Sequence, residues 1–163
     1  MQQSPRARKL SRSIRTLSLF KVPLLGICRP KVLELSESRG IIQLPFEFLT
    51  KNHVGSMYFG ALAMGAELSI ALPLLARMFE DRAPVTFIFK DFQAEFLKRA
   101  EDTVHFVNED VAQVNAVVDR ALQSGERENG TFRGYAVTAS NPSEKLVEYR
   151  LTISVKRLKA KSA

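Results

Sequence analysis

The sequence has one cysteine, Cys28, and two histidines, His53 and His105. A single cysteine excludes an internal disulfide, and with two histidines it cannot supply a Cys/His metal cluster at any standard spacing. Neither a metal nor a cofactor is therefore expected, and a reduced, cytoplasmic setting fits. There is no G-x-S-x-G run, so a serine hydrolase with a nucleophile elbow has no support. Neither G-x-x-x-x-G-K-[ST] nor G-x-G-x-x-G occurs, so nucleotide chemistry has none either. Acidic residues are missing from the first 33 positions, which hold eight basic ones.

The net charge of +7 therefore belongs to the two ends. Arg6, Arg8, Lys9, Arg12, Arg15, Lys21, Arg29 and Lys31 crowd the start, and Lys156, Arg157, Lys159 and Lys161 the finish. Residues 34–155 carry twelve basic against seventeen acidic residues, a net −5. Basic ends suit an anionic partner such as nucleic acid, a membrane surface or a phosphate-bearing ligand, or are simply solvated. Residues 6–20 place Ala7, Leu10, Ile14 and Leu17 at helical spacing, with Arg8, Arg12 and Arg15 largely on other faces, so they read as an amphipathic helix docked on the body. An Arg- and Ser-rich, acid-free start is also compatible with an organelle transit peptide, whereas Val22–Cys28 is too short and too broken by Pro23 for a secretory signal. The expected division is a basic helix and connection over 1–30, a globular domain over 31–157 and a basic tail over 158–163. At 163 residues and 45% hydrophobic content, one domain with a real core is the simplest organisation.

Lys31–Leu35 and Ile41–Leu49 read as a hairpin turning at 36–40, with Pro45 marking an edge or a bulge. Val85–Phe96 reads as a strand whose apolar parity switches at Lys90-Asp91, which predicts a bulge or a bend. Asp102–Val107 is the next strand. Asn108 is then expected to cap a helix lined by Val111, Val114, Val117, Val118, Ala121 and Leu122 and stopped by Gly125. Thr131–Ala139 and Glu148–Lys156 close the chain as strands, the second alternating cleanly around Tyr149, Leu151, Ile153 and Val155.

Between these lies the most informative stretch, 52–78. From Val54 to Ala76 it is apolar or small almost without a break, and its one charge is Glu67. A helix apolar on all sides is either buried or membrane-spanning. Glu67 would cost about 2.5–3.5 kcal/mol at a bilayer centre, Pro73 interrupts the run, and everything downstream reads as strands, so a buried helix is expected. Gly55, Gly60 and Gly65 thin it for close packing on a sheet, and Ser56 is the expected N-cap. The order α-β-β-α-β-β-α-β-β, without crossover signatures, predicts an α+β domain: an antiparallel sheet wrapped around the long helix, with an extra N-terminal helix.

Asn52, Gly55, Ser56, Met57, Tyr58, Phe59, Gly60 and then Glu67, seven residues on, resemble the motif of hot-dog-fold acyl-CoA thioesterases of the phenylacetate-degradation type. In that family an Asn is followed by Leu-His-Gly-Gly and, seven residues after the second Gly, an Asp or Glu. The run from Asn52 to Leu62 is similar to a bacterial branch of the same superfamily. The order of elements extends the resemblance over roughly 10–156. Two positions depart: Tyr58 stands where the family has His, and Phe59 where it has the first Gly. The resemblance implies a homodimer or dimer of dimers that takes an acyl-CoA or acyl-carrier-protein thioester. Its carbonyl would meet the N–H groups of Phe59 and Gly60. Glu67, reaching across the dimer interface, would act as base or nucleophile, and Asn52 as positioner.

Tyr58, Phe87 and Phe89 are the candidate substrate-lining residues; the bland alternative for such an aromatic set is plain core. His53 and His105 read as structural. Two functional readings stay open on the same fold: hydrolysis of a fatty-acyl or aryl-acyl thioester, and acyl-CoA or lipid binding without turnover, which the loss of His and Gly at 58–59 would suit. A third class, nucleic-acid or membrane-surface contact by the basic helix, would show strong salt dependence; nucleic acid is not the expected partner.

Overall fold

The computed structural model describes residues 3–158. The chain opens with α1 (Pro5–Phe20), started by Ser4, whose Oγ accepts from Ala7 N at 3.1 Å, and by Pro5 in the first turn. Ala7, Leu10 and Ile14 bury the expected face in the main core. A short helix α2 (Pro23–Ile27) follows, where the sequence showed only a broken apolar run; Pro23, preset for helical φ, starts it.

Six antiparallel strands form one sheet in the order β1-β2-β4-β5-β6-β3. They are β1 (Lys31–Leu35), β2 (Gly40–Leu44), β3 (Val85–Phe96), β4 (Val104–Asn108), β5 (Arg127–Thr138) and β6 (Lys145–Arg157). The predicted hairpin stands, but the second strand is shorter than expected and lies inside the sheet, not at its edge. Pro45 ends it outright, and the chain turns into a 3₁₀ turn, Phe48–Thr50, tied by Thr50 Oγ1 to Pro45 O at 2.8 Å. The predicted bulge in β3 is present, as the register against β6 slips between Phe89 and Asp91. The last two strands run longer than the hydrophobic pattern indicated, because their polar starts, from Arg127 and Lys145, are paired as well.

The sheet's two edges differ. Along β1, α1 and the residues just before it occupy the free backbone: Ser11 Oγ accepts from Val32 N at 2.9 Å, Gln3 Nε2 donates to Val32 O at 2.6 Å, and Arg6 Nη1 donates to Leu35 O at 3.4 Å. Along β3, twelve residues long, only the β6 side is paired among the described residues.

The long helix α3 (Phe59–Glu80) lies on the sheet and carries much of the core; it is long and apolar enough to cross a membrane, yet 72% of its most apolar window is buried within the protein. Gly65 sets how closely it sits, since a Cβ there would fall 2.3 Å from Cε2 of the buried Phe106 on β4. A polar link adds direction: Ser69 Oγ and Tyr149 OH lie 2.7 Å apart, and Asn108 Nδ2 donates to Ser69 O at 3.2 Å. Helix α4 (Val111–Ser124) packs beside α3 and ends on Gly125, whose φ of 74° closes it in the left-handed region. The expected cap at Asn108 is not used. Asn108 is the buried last residue of β4, paired to Gly134, and the cap position falls to Asp110. Glu109 accordingly precedes the helix, and Asp110 stands at its cap.

Candidate functional site

The N-terminus of α3 is placed by the loop before it. Asn52 holds a tight turn: its backbone N–H donates to Ser56 O at 2.8 Å, its Oδ1 accepts from Val54 N and Ser56 N at 3.1 Å each, and its Nδ2 donates to Ser56 Oγ at 3.0 Å. Gly55 sits in that turn at φ 82°, which explains a glycine there. Ser56 is therefore buried as the partner of Asn52, and the expected N-cap role passes to Tyr58, which makes no side-chain cap. Met57 N donates to Ala100 O at 2.7 Å and Tyr58 N to Thr50 O at 2.8 Å, which fixes the entry to the helix.

From there the amides change status. Ala61 N and Leu62 N both turn back to Tyr58 O, whereas Phe59 N and Gly60 N donate to nothing among the described residues. Two unsatisfied N–H groups at the positive end of a 22-residue helix make a local anion-accepting position. The rings of Tyr58 and Phe59 flank it, edge to face at 5.0 Å and 49% and 61% exposed. The Tyr58 ring lies over Gly60, where a Cβ would stand 2.4 Å from Cε1, so glycine here makes room for the tyrosine.

Glu67 lies two turns further on. Helical geometry puts it about 10.5 Å along the axis from Gly60. Gly60, Ala63, Met64 and Glu67 recur at i, i+3, i+4 and i+7 and are the incompletely covered stripe of the helix's first half. Ser69, which touches the sheet, is about 200° around the helix from Glu67, so the carboxylate faces away from the sheet. The second half of the helix, by contrast, is closed over at Ala71–Ala76. Glu67 makes no hydrogen bond and no ion pair to any described residue, and burial alone pushes its carboxyl above the ordinary range.

Phe87 and Phe89 pack edge to face at 5.6 Å on the helix side of β3, against the core. Beyond the bulge Phe92 and Phe96 continue that side, since they pair with Leu151 and Val147 of β6, both buried; they are left substantially exposed because β3 is an edge strand. Near the helix start, Phe48, Leu49 and Val54 are also exposed, Phe48 to 89%. The sequence pattern assigns Phe48 and Leu49 to the second hairpin strand and Val54 to the apolar run of the helix; the structure puts all three outside those elements, because β2 ends at Leu44 and α3 begins at Phe59. Of the predicted residues, then, Asn52, Tyr58, Phe59 and Gly60 meet at one helix end, Glu67 lies two turns away on an open face, and Phe87 and Phe89 sit on the edge strand. His53 is exposed in the loop, and His105, on β4, reaches Gln43 Oε1 at 3.3 Å with its pKa lowered mainly by burial, so neither joins the group.

Comparison with solved structures places this architecture among similar folds. A Pseudomonas aeruginosa protein of unknown function, described as a probable thioesterase, superposes with a TM-score of 0.70 at 20% identity, over 96% of this chain and 98% of that one. A thioesterase from Haemophilus influenzae gives 0.65 at 14% identity, over 93% and 94%. A protein of unknown function from Chlorobaculum tepidum gives 0.76 at 9%, over 93% and 97%. At such identities the likeness speaks for the hot-dog fold. Comparison with curated proteins finds no match. The match that reaches the sequence itself is to a family model spanning residues 11–155, nearly the whole of what is described, and the chain belongs to that family, the domain of unknown function DUF4442.

Proposed function

We propose that the protein is a thioester hydrolase, acting as a homodimer on a fatty-acyl or aryl-acyl thioester of coenzyme A or acyl carrier protein. The observation that carries this reading is a half-buried carboxylate, Glu67, without a partner among the described residues, on the open stripe of α3 that begins at Gly60, where the amides of Phe59 and Gly60 are likewise unpartnered. The amides would accept the thioester oxygen as it becomes an oxyanion. Glu67 would take a proton from water as the water's oxygen bonds to the carbonyl carbon. Collapse of the tetrahedral intermediate would then break the C–S bond, and the thiolate would recover the proton, leaving an acid and a free thiol. A carboxyl raised toward neutrality is the better base for this task.

We assign the two halves to different protomers. About 10.5 Å separates Glu67 from Gly60 along the helix, and the reacting atoms must lie about 3–3.5 Å from the groups that act on them. The bare edge of β3 supports a second copy. A long edge strand with exposed Ile88, Phe92 and Phe96 is a template for pairing with another chain, and the opposite edge is already closed by α1. Such a pairing would bring Glu67 of one copy toward the helix start of the other, with Phe87 and Phe89 beside the acyl group. Asn52, with its side chain engaged in its own turn, would act by holding the loop that aims the Phe59 and Gly60 amides.

Binding without turnover is favoured by a specific feature: the Tyr58 ring covers Gly60 where the related motif has His and Gly. A panel of acyl-CoA thioesters of differing chain, read in parallel by thiol release and thermal shift, separates the two. Thiol release that depends on Glu67 supports hydrolysis. Saturable stabilisation without thiol release supports a binding module.

A further inference from the structure

We propose that the corner formed by α1 and α2 is a docking surface for an anionic lipid bilayer. Of the eight basic residues in the first 33, Arg6 is held by Glu80 and Arg29 by Glu47. Arg8, Lys9, Arg12, Arg15 and Lys21 are exposed and form no ion pair among the described residues. They are not scattered. Arg12 is two residues from both Leu10 and Ile14, about 200° around the helix from each, and Arg8 and Arg15 share its side. The buried face of α1 thus holds the helix on the body while a continuous cationic face points outward.

Charge alone would suit any polyanion. The apolar residues beside it narrow the choice. Val22, Leu24 and Ile27 are 42%, 59% and 46% exposed on and just before α2. Helix α2 abuts α1, with Gly26 against Ser18, and Arg15 and Arg29 border the same depression as Gly26. A second, longer groove of about 780 Å³ runs along α1, with Lys9, Arg12 and Lys21 beside Leu17 and Phe79. Aliphatic side chains among unpaired cations match the layered chemistry of a bilayer surface, with phosphate and carboxylate outside and hydrocarbon just beneath. A single-stranded nucleic acid would instead call for exposed aromatic stacking platforms beside the cations, whereas Phe79 is half-buried against the core.

The rest of the molecule favours this orientation. Residues 34–155 are net −5, so an anionic surface would repel the body and attract this corner. The corner also lies at the β1 edge, opposite the bare β3 edge, so bilayer docking stands independently of the proposed dimer and its chemistry.

The test is co-sedimentation of the full-length protein with vesicles of phosphatidylcholine alone and of phosphatidylcholine with phosphatidylserine, at low and high salt. The expected result is pelleting with the phosphatidylserine vesicles and release by salt. Each basic residue near such a surface contributes about fivefold in affinity, so Arg8→Gln with Arg12→Gln and Arg15→Gln lowers binding about a hundredfold. Because those side chains are exposed and unpaired, melting should be unchanged. Leu24→Ser with Ile27→Ser weakens vesicle binding and leaves its salt dependence as it was. Equal pelleting with neutral vesicles, no pelleting with anionic ones, or full binding by the triple variant overturns the proposal. So does tighter association with poly(U) than with anionic vesicles, insensitive to the Leu24 and Ile27 changes, which would give the surface to nucleic acid.

Discussion

Replacing Gly65 with alanine tests the seat on which α3, and with it the whole candidate site, rests. The new Cβ would lie 2.3, 2.4 and 2.6 Å from Cε2, Cζ and Cδ2 of Phe106. Carbon atoms settle at about 3.5–4.0 Å, so at least about 1 Å must open. Phe106 is fully buried and held in register between Ile42 of β2 and Ala136 of β5, so the ring cannot swing away and the helix must lift. Overpacking of this kind costs about 1–3 kcal/mol. Against it stands the helix preference of Ala over Gly, about 1 kcal/mol. With the ring unable to yield, the net loss should be about 1–2 kcal/mol, a fall in Tm of about 2–8 °C for a chain this size. Thermal denaturation followed by circular dichroism reads it. In a Phe106→Leu background the ring is gone, the helix preference remains, and Gly65→Ala should become neutral or stabilising. A Gly65→Ala variant that melts higher than wild type, or the same change in both backgrounds, would refute the close-seat reasoning.

Three further outcomes are expected. Tyr149→Phe removes the hydroxyl that meets Ser69 Oγ at 2.7 Å and the carbonyls of Val107 and Tyr135 at 3.3 Å each; the loss should be about 1–3 kcal/mol, and an unchanged melting curve would contradict it. Burial raises the Glu67 carboxyl above its ordinary 4.5, so the native state holds that proton more tightly than the unfolded chain. The stability it contributes is present below pH 4.5 and lost as pH rises through the native value. Glu67→Gln should therefore melt above wild type at neutral pH, with the gap closing in acid; a gap independent of pH would point to another cause. Ile88→Lys with Phe92→Lys puts like charges on the bare β3 edge and should turn a dimer into a monomer by light scattering while the circular dichroism spectrum persists. An unaltered mass would remove β3 as the pairing edge.

What the sequence shows of all this follows the range of the physics involved. Period-two and period-3.6 patterns are local, so the buried face of α1, the apolar body of α3 and the β3 bulge are readable from Leu10, the run ending at Ala76 and the parity change at Lys90, while the run's first residues, from Val54, fall in the loop before α3. Ser56 and Asn108 carry the local signature of caps, but capping preference is local while their fates are not. Ser56 is claimed by Asn52, and Asn108 by strand pairing to Gly134 and by Ser69, 39 residues away. Pro45 in the pattern marks an edge or a bulge; that it instead ends β2, with β1 outside it and sealed by Ser11 and Gln3, depends on contacts no local pattern contains. Glu67 is conspicuous in sequence as the one charge in an apolar run. Its lack of a partner, and its direction away from the sheet, are visible only once Ser69 is tied to Tyr149.

The most direct measurement is the rate of thiol release from acyl-CoA by wild type and Glu67→Gln, with binding of the same thioester followed by thermal shift. If Glu67 is the base, the variant should retain binding and lose about a hundred- to ten-thousandfold in kcat. A variant that releases thiol at the wild-type rate would contradict the central role given to this carboxylate.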